Sequence, residues 1–265
     1  MELNLKDKSA VVTGGSKGIG LATAAALAAE GARVVVGSRT VTDELADLRV
    51  RHDVTAVEAD LTAPDGPRRL VDTAVDQNGG VDILVNNLGI SEPAESSTDF
   101  SDEQWRRIFE ATLFTTVRTV RAALPAMRGR AGASIVNLSS VNAKLPLGTI
   151  APYSAAKAAL TNFGKALAEE LTPRGIRVNT VSPGPVRTPL WTAPGGFAEV
   201  MAERFGTTPR DLMERGLPEA MSITTGRVSE PEEIADLVIF LLSDRAGNIT
   251  GSDHVIDGGT LKTVA

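Results

Sequence analysis

Seven short runs of apolar and β-branched residues recur along the chain: 9–14, 32–37, 54–59, 81–87, 133–140, 176–181 and 253–259. They are apolar at consecutive positions rather than at alternate ones, which fits strands buried on both faces, as in a parallel sheet. Helical segments are expected between them. One covers 18–30, with Gly31 as its stop, and one covers 101–128, opening in a Ser101–Gln104 capping box. Two more cover 151–172, ending before Pro173, and 229–243, opening in a Ser229–Glu232 capping box. The alternation predicts a single α/β domain over 1–265. Its sheet is doubly wound, seven-stranded and parallel, with helices on both faces and ligand at the carboxyl ends of the strands. One region breaks the rhythm. Residues 189–225 have no strand-like run and carry Trp191, Phe197, Met201 and Phe205. They read as a substrate lid, mobile without ligand, with a subunit-packing helix as the alternative.

Composition removes several kinds of chemistry. The chain has 265 residues and no cysteine, which excludes disulfides, thiolate catalysis and Cys-ligated zinc. Its two histidines, His52 and His254, are far apart, so neither a histidine-rich metal site nor a Ser-His-Asp hydrolase is expected. A net charge of −6 with scattered basic residues argues against nucleic-acid and anionic-membrane partners. The N-terminus does not read as a signal peptide, and no stretch reads as a membrane span. A soluble cytoplasmic protein is the default expectation.

The first apolar run leads into TGGSKGIG, Thr13 to Gly20. Gly14, Gly18 and Gly20 allow a tight turn and a close approach of backbone to a phosphate at the following helix N-terminus. The plain alternative is a strand–helix turn. At the end of the second run, an acidic residue would bond a ribose 2′-OH in a dinucleotide fold. Gly37 and Ser38 stand there instead, and Arg39 follows. No carboxylate repels a 2′-phosphate, and a guanidinium is at hand to pair with it. Lys17 can approach the same phosphate. This pattern favours NADP over NAD.

YSAAK, Tyr153 to Lys157, holds the only tyrosine in the chain. Residues at i and i+4 share a helix face. An ammonium about 6 Å from a phenol, at an effective dielectric near 20, attracts the phenolate by roughly 3 kcal/mol. That is worth about two pKa units and predicts a phenol titrating near 8. Ser140 ends the fifth run and lies at the same sheet edge, where its hydroxyl can hold a substrate oxygen beside the phenol. The bland reading is a surface Tyr and Lys on an amphipathic helix.

Together these segments resemble the short-chain dehydrogenase/reductase family over nearly the whole chain. TGGSKGIG is similar to its TGxxxGxG loop, NNLG at 86–89 to its NNAG motif, and the serines before YSAAK to its Ser and YxxxK elements. NTVSPGPVRT at 179–188 and ITGSDHVIDGG at 249–259 resemble its last two conserved segments. The resemblance implies a single-domain Rossmann fold, in the group resembling 3-oxoacyl carrier-protein reductases. It implies that Tyr153 is the general acid in carbonyl reduction, that Lys157 lowers its pKa and holds the nicotinamide ribose, and that Ser140 polarises the carbonyl. Gly14, Ser16, Lys17, Gly18, Ile19 and Gly20 would wrap the cofactor, with Ser38 and Arg39 at the 2′-position. Asp60 and Leu61 would meet the adenine, and Asn87 and Gly89 would line the cleft. Pro183, Gly184, Val186 and Thr188 would border the nicotinamide. The family's catalytic asparagine is replaced by Thr112, whose hydroxyl is expected to bond back to a preceding carbonyl and bend its helix.

The expected protein is an NADP(H)-dependent oxidoreductase moving a hydride between nicotinamide and a carbonyl or alcohol carbon, with a small-molecule substrate and no metal. The family often forms tetramers, so a homo-oligomer, dimer or tetramer, is implied. The substrate pocket is expected to draw on Leu88, Val141, Leu145, Leu147, Leu190, Trp191 and the lid. An NAD-linked alcohol dehydrogenase, an epimerase or dehydratase with tightly held NAD, and a non-catalytic nucleotide sensor remain as alternatives.

Overall fold

The computed structural model describes residues 2–263. All seven expected strands form: β1 (Ser9–Thr13), β2 (Arg33–Ser38), β3 (Val54–Glu58), β4 (Ile83–Asn86), β5 (Ser134–Leu138), β6 (Arg177–Pro183) and β7 (Asp253–Ile256). They lie in the order β3-β2-β1-β4-β5-β6-β7, and every pairing is parallel.

The continuous apolar runs have the expected cause. Ala10, Val12, Val34, Val36 and Val85 pack with Ala24 and Leu27 of α1 (Gly18–Ala29), Leu45 of α2 (Asp43–Arg51), and Ile234 and Val238 of α11 (Pro231–Leu242). Their chain neighbours Val11, Val35 and Leu84 pack with a different set. That set includes Leu70 of α3 (Gly66–Asn78), Val120 and Ala123 of α5 (Thr115–Met127), and Leu167 and Leu171 of α6 (Ala151–Leu171). Both faces of the inner strands β1, β2 and β4 are thus covered, while the edge strands β3 and β7 are only partly buried. The order reverses between β1 and β4, and this opens a crevice at their carboxyl ends.

Two helices, α2 and α3, were not singled out by sequence. The segment expected as one helix over 101–128 is also divided. It starts as expected at Ser101, whose Oγ accepts the Gln104 N–H at 3.2 Å while Gln104 Oε1 accepts the Ser101 N–H at 2.9 Å. After α4 (Asp102–Phe109) the chain widens into a π turn over Glu110–Phe114, in which the Thr115 N–H reaches back five residues to the Glu110 carbonyl. The Thr115 hydroxyl reinforces this turn by sharing its one hydrogen between Glu110 O at 2.9 Å and Leu61 O at 3.1 Å. The second capping box is displaced by one residue. Glu230 and Glu233 form it, with the Glu230 N–H donating to Glu233 Oε2 at 2.9 Å. Ser229 is engaged elsewhere: its backbone pairs with Pro185 and Arg187 and fixes the segment after β6.

Residues 189–225 contain α7 (Pro189–Thr192), α8 (Phe197–Phe205), α9 (Pro209–Asp211) and α10 (Leu217–Ala220), with a π turn at Leu212–Gly216. Ala198, Ala202, Leu212, Met213 and Leu217 give this segment a small apolar cluster of its own, joined by Ile223 and Val228. Among the described residues no helix is long and apolar enough to cross a membrane.

Helix α6 lies close on the sheet at Gly164. A Cβ there would fall 2.8 Å from Thr180 Oγ1 and 3.0 Å from Asn137 Nδ2, both on buried residues of the central strands. Gly164→Ala is therefore expected to destabilise the fold by about 1–3 kcal/mol. Chemical denaturation measures it, and a variant as stable as the parent would show that the helix has room to move outward.

Candidate active site

The crevice between β1 and β4 is walled on one side by the glycine loop. Gly14 has φ +67, a left-handed conformation that a side chain disfavours. At Gly20 a Cβ would collide with the Gly14 carbonyl and the Asn87 amide, so the start of α1 lies directly against the loop. Asn87 braces it by donating Nδ2–H to Thr13 O at 3.0 Å and Gly14 O at 2.9 Å. Thr13 Oγ1 in turn accepts the N–H groups of Asn87 and Leu88 at 3.0 and 3.1 Å. Lys17 occupies the N-cap of α1 without a side-chain cap, which leaves the first N–H groups of that helix for an anion.

At the end of β2, Ser38 is buried and donates Oγ–H to Thr40 O at 2.8 Å. Thr42 caps α2 and also donates to Ser16 O at 2.7 Å, tying this loop to the glycine loop. Arg39 is exposed at the crevice rim and forms no ion pair among the described residues. Asp60 caps its own loop: Oδ1 accepts the Thr62 N–H at 2.9 Å and the Thr62 hydroxyl at 2.7 Å. These two bonds, with the nearby Arg39 charge, hold its carboxyl below the usual carboxylate range. It projects into the same crevice as Leu61.

Helix α6 carries Tyr153 and Lys157 on one face, with the lysine nitrogen 5.6 Å from the centre of the phenol ring. Lys157 is buried at 3 % exposure and donates to the Leu138 carbonyl at the end of β5. Burial, with no carboxylate to offset it, brings its pKa from 10.5 down to about 7. Burial also pushes the Tyr153 phenol above 10, while the neighbouring Ser140 hydroxyl pulls the other way. The titration expected from sequence is therefore inverted in the cofactor-free protein. The i,i+4 geometry is as expected, but desolvation of both groups outweighs their attraction, leaving the phenol neutral and the lysine the readier to lose its proton.

Thr112 lies in the π turn. Its carbonyl accepts the Thr116 hydroxyl at 3.1 Å. Its own hydroxyl, fully buried, has no hydrogen-bond partner, so the expected bond back along the helix is not made. The departure from α-helix here is the π turn itself, closed by the Thr115 N–H on the Glu110 carbonyl. Thr112 Oγ1 and Lys157 Nζ both abut Gly89, at 3.6 and 3.2 Å from where a Cβ on it would stand.

A cleft of about 370 Å³ on the far side of α6 involves none of the expected site residues. A larger one, of about 590 Å³, gathers most of them. Gly14, Ser16, Lys17, Gly18 and Ile19 line one end, with Ser38, Arg39, Asp60 and Leu61 beyond them. Asn87, Gly89, Tyr153, Lys157, Pro183 and Thr188 line the other end. Gly20, Thr112, Ser140, Gly184 and Val186 are not among its lining residues, although Ser140 adjoins the Tyr153 phenol that is. Of the expected substrate residues, Leu88 and Leu190 reach the cleft. Val141 is buried, and Leu145 and Leu147 are exposed. Trp191 packs edge-on against Phe197, with ring centres 5.6 Å apart.

Sequence reasoning missed Thr13, Thr42 and Ser139. Ser139 Oγ meets Lys157 O at 3.1 Å and Thr161 Oγ1 at 2.7 Å, holding α6 to the end of β5. Thr42 was readable as a helix cap before Asp43 and Glu44. The lining of the cleft suits a nicotinamide dinucleotide. Its uncapped helix start and its free Arg39 suit phosphate groups, and among the described residues no three metal-ligating side chains cluster.

The buried lysine has a thermodynamic consequence. Above pH 10.5 Lys157 is neutral in both states. Between about 7 and 10.5 the unfolded chain binds a proton that the fold does not, so this group's penalty grows as pH falls through that window. Lys157→Met removes the penalty. Its stability relative to the parent is expected to be highest near pH 7 and to decline by about pH 10. Denaturation midpoints across this range measure the difference, and a difference independent of pH would mean that Lys157 is charged in the fold.

A family model described as enoyl-(acyl carrier protein) reductase matches residues 14–260. A glucose and ribitol dehydrogenase homolog from Oryza sativa is 37% identical over 97% of this chain and 87% of its own length. Dehydrogenase/reductase SDR family member 4 from Sus scrofa is also 37% identical, over 97% of this chain and 88% of its own. The crystal structure of L-sorbose reductase from Gluconobacter frateurii, complexed with NADPH and L-sorbose, superposes with a TM-score of 0.92 at 35% identity, covering 100% of both chains. With a seven-stranded parallel sheet of the same kind and a match along nearly all of its length, the chain belongs to the short-chain dehydrogenase/reductase family of oxidoreductases.

Proposed function

We propose that the protein is an NADPH-dependent carbonyl reductase. The observation that carries this reading is the position of the Tyr153 phenol, set between Ser140 and Lys157 at one end of the dinucleotide-sized cleft. When bound, the nicotinamide supplies the hydride. Lys17, Arg39 and the N-terminus of α1 hold its phosphates, and Asp60 meets its adenine. Gly89, Pro183 and Thr188 bound the nicotinamide end, with Gly184 and Val186 supporting them from behind. Tyr153 gives its proton to the carbonyl oxygen as the alcohol forms. Loss of that proton leaves a phenolate, which favours an ammonium on Lys157, so a charge on either group is balanced by the other. Ser140 holds the substrate oxygen, and Thr112 takes the place of the family's asparagine, abutting Gly89 as Lys157 does. Segment 189–225, with Leu190 on the cleft wall, closes over the substrate.

For the substrate, the L-sorbose reductase likeness points to a ketose and the family model to an acyl carrier-protein thioester. A panel holding both classes, followed by nicotinamide absorbance, separates them. A homo-oligomer is the assembly we expect.

Tyr153→Phe removes only the transferable proton. It is expected to lower turnover by about 10²–10⁴-fold while the cofactor still binds. Steady-state rates and cofactor titration measure the two effects. A variant keeping more than about a tenth of the rate would remove the acid role.

Arg39→Leu is expected to weaken NADPH binding by about 1.5–3 kcal/mol, the value of a charge-assisted hydrogen bond, and to leave NADH nearly unchanged. Fluorescence titration with each cofactor decides this, and equal losses for both would sink the 2′-phosphate assignment.

A further inference from the structure

Asn142 stands two residues beyond Ser140, in the 3₁₀ turn Val141–Ala143 that Ser140 caps. Its backbone N–H donates to Ser140 Oγ at 3.1 Å. Its side chain makes two more bonds, and together they fix a proton. Nδ2 donates to the Leu145 carbonyl at 3.1 Å, a partner that can only accept, so the amide group must face Leu145. The other end, Oδ1, therefore faces Ser140 Oγ at 3.2 Å, and Oδ1 can only accept. The single hydrogen of the Ser140 hydroxyl is thus committed to Asn142. With that hydrogen taken, Ser140 can offer the neighbouring Tyr153 only a lone pair, so a hydrogen bond between the two would have the phenol as donor.

We propose that Asn142 is a positioning residue that sets the direction of the Ser140 hydroxyl, and so keeps the transferable proton on Tyr153 until a carbonyl oxygen arrives. The proposal rests on the reductase reading above. A carbonyl at the site competes with Asn142 Oδ1 for the Ser140 hydrogen, and one swing of the hydroxyl presents that hydrogen to the substrate. No bond is made or broken in the swing; a hydrogen bond to Asn142 is exchanged for one to the substrate oxygen. The downward pull of Ser140 on the phenol needs the same hydrogen, so Asn142 and a phenolate compete for it.

Few charges intervene. On α6 itself Lys157 lies 5.6 Å from the phenol ring centre. From the loop before α6, Lys144 pairs with Asp253 at 3.1 Å. From α4, Arg107 on the cleft wall is held by Glu92 at 2.7 Å. The other charged groups lining the cleft, Lys17, Arg39 and Asp60, belong to its phosphate and adenine end.

Because Tyr153 is the only tyrosine, tyrosinate absorbance in the cofactor-free protein reports this phenol alone. Asn142→Ala frees the Ser140 hydrogen to meet the phenolate. The Tyr153 midpoint is expected to fall by about one pH unit. Asn142→Leu keeps the side-chain bulk and should give the same fall, so either variant suffices if the other loosens the turn. In a Ser140→Ala background, Asn142→Ala should produce no further shift, because the effect passes through Ser140. A midpoint unchanged or raised in the Asn142 variants would overturn the proposal. So would an equal fall without the Ser140 hydroxyl. The titration needs no substrate, so a protein inert on every carbonyl would end the reductase reading without deciding the role of Asn142.

Discussion

The site is organised around a lysine nitrogen held in the protein interior without a carboxylate beside it. Burial alone accounts for the depressed pKa of Lys157. Such a group is tolerable only where its surroundings are fixed, and three parts of the chain fix them. The end of β5 supplies the Leu138 carbonyl, the loop after β4 brings Gly89 against the nitrogen, and α6 stacks the Tyr153 ring nearby. The close approach of α6 to the sheet at Gly164 and the Ser139 bonds to Lys157 and Thr161 hold that helix in register. Local packing therefore sets both the position of the phenol and its protonation.

The opposite end of the cleft follows a different rule. There the protein satisfies its own loops, and among the described residues Lys17 and Arg39 form no ion pair. Asn87 and Thr13 brace the glycine loop, and Thr42 ties it to the end of β2. Asp60 is occupied on one oxygen by Thr62. Arg39 is left without an ion pair among the described residues, as suits a side chain that waits for a phosphate. A preformed loop spends little ordering entropy on binding.

The sheet was legible because its signal is local. Strands such as β1, β2 and β4 are apolar at consecutive positions, and the two-sided burial of Val11 and Val12 shows why. Tyr153, Lys157 and the glycines were legible because their spacing is short. What stayed hidden depends on tertiary packing. The π turn at Glu110–Phe114 arises from Thr115 bonding to Leu61 across the fold as well as to Glu110. The helix cap at Glu230 wins over Ser229 because Ser229 is drawn into a bridge with Val186. The low titration expected for the Tyr153 phenol took a surface dielectric, whereas burial raises the phenol and lowers Lys157. Asn142 had no signal at all, since its two side-chain partners are fixed only by the turn they share.

The central claim is that hydride passes directly between a nicotinamide and a carbonyl carbon in this cleft. NADPH deuterated at the transferred position of C4, incubated with the protein and a reducible ketone, tests it. The account predicts one deuterium per alcohol, on the former carbonyl carbon, found by mass spectrometry of the product. Alcohol formed without that label, or NADPH bound in the cleft with no reduction across ketoses and acyl thioesters, would contradict it.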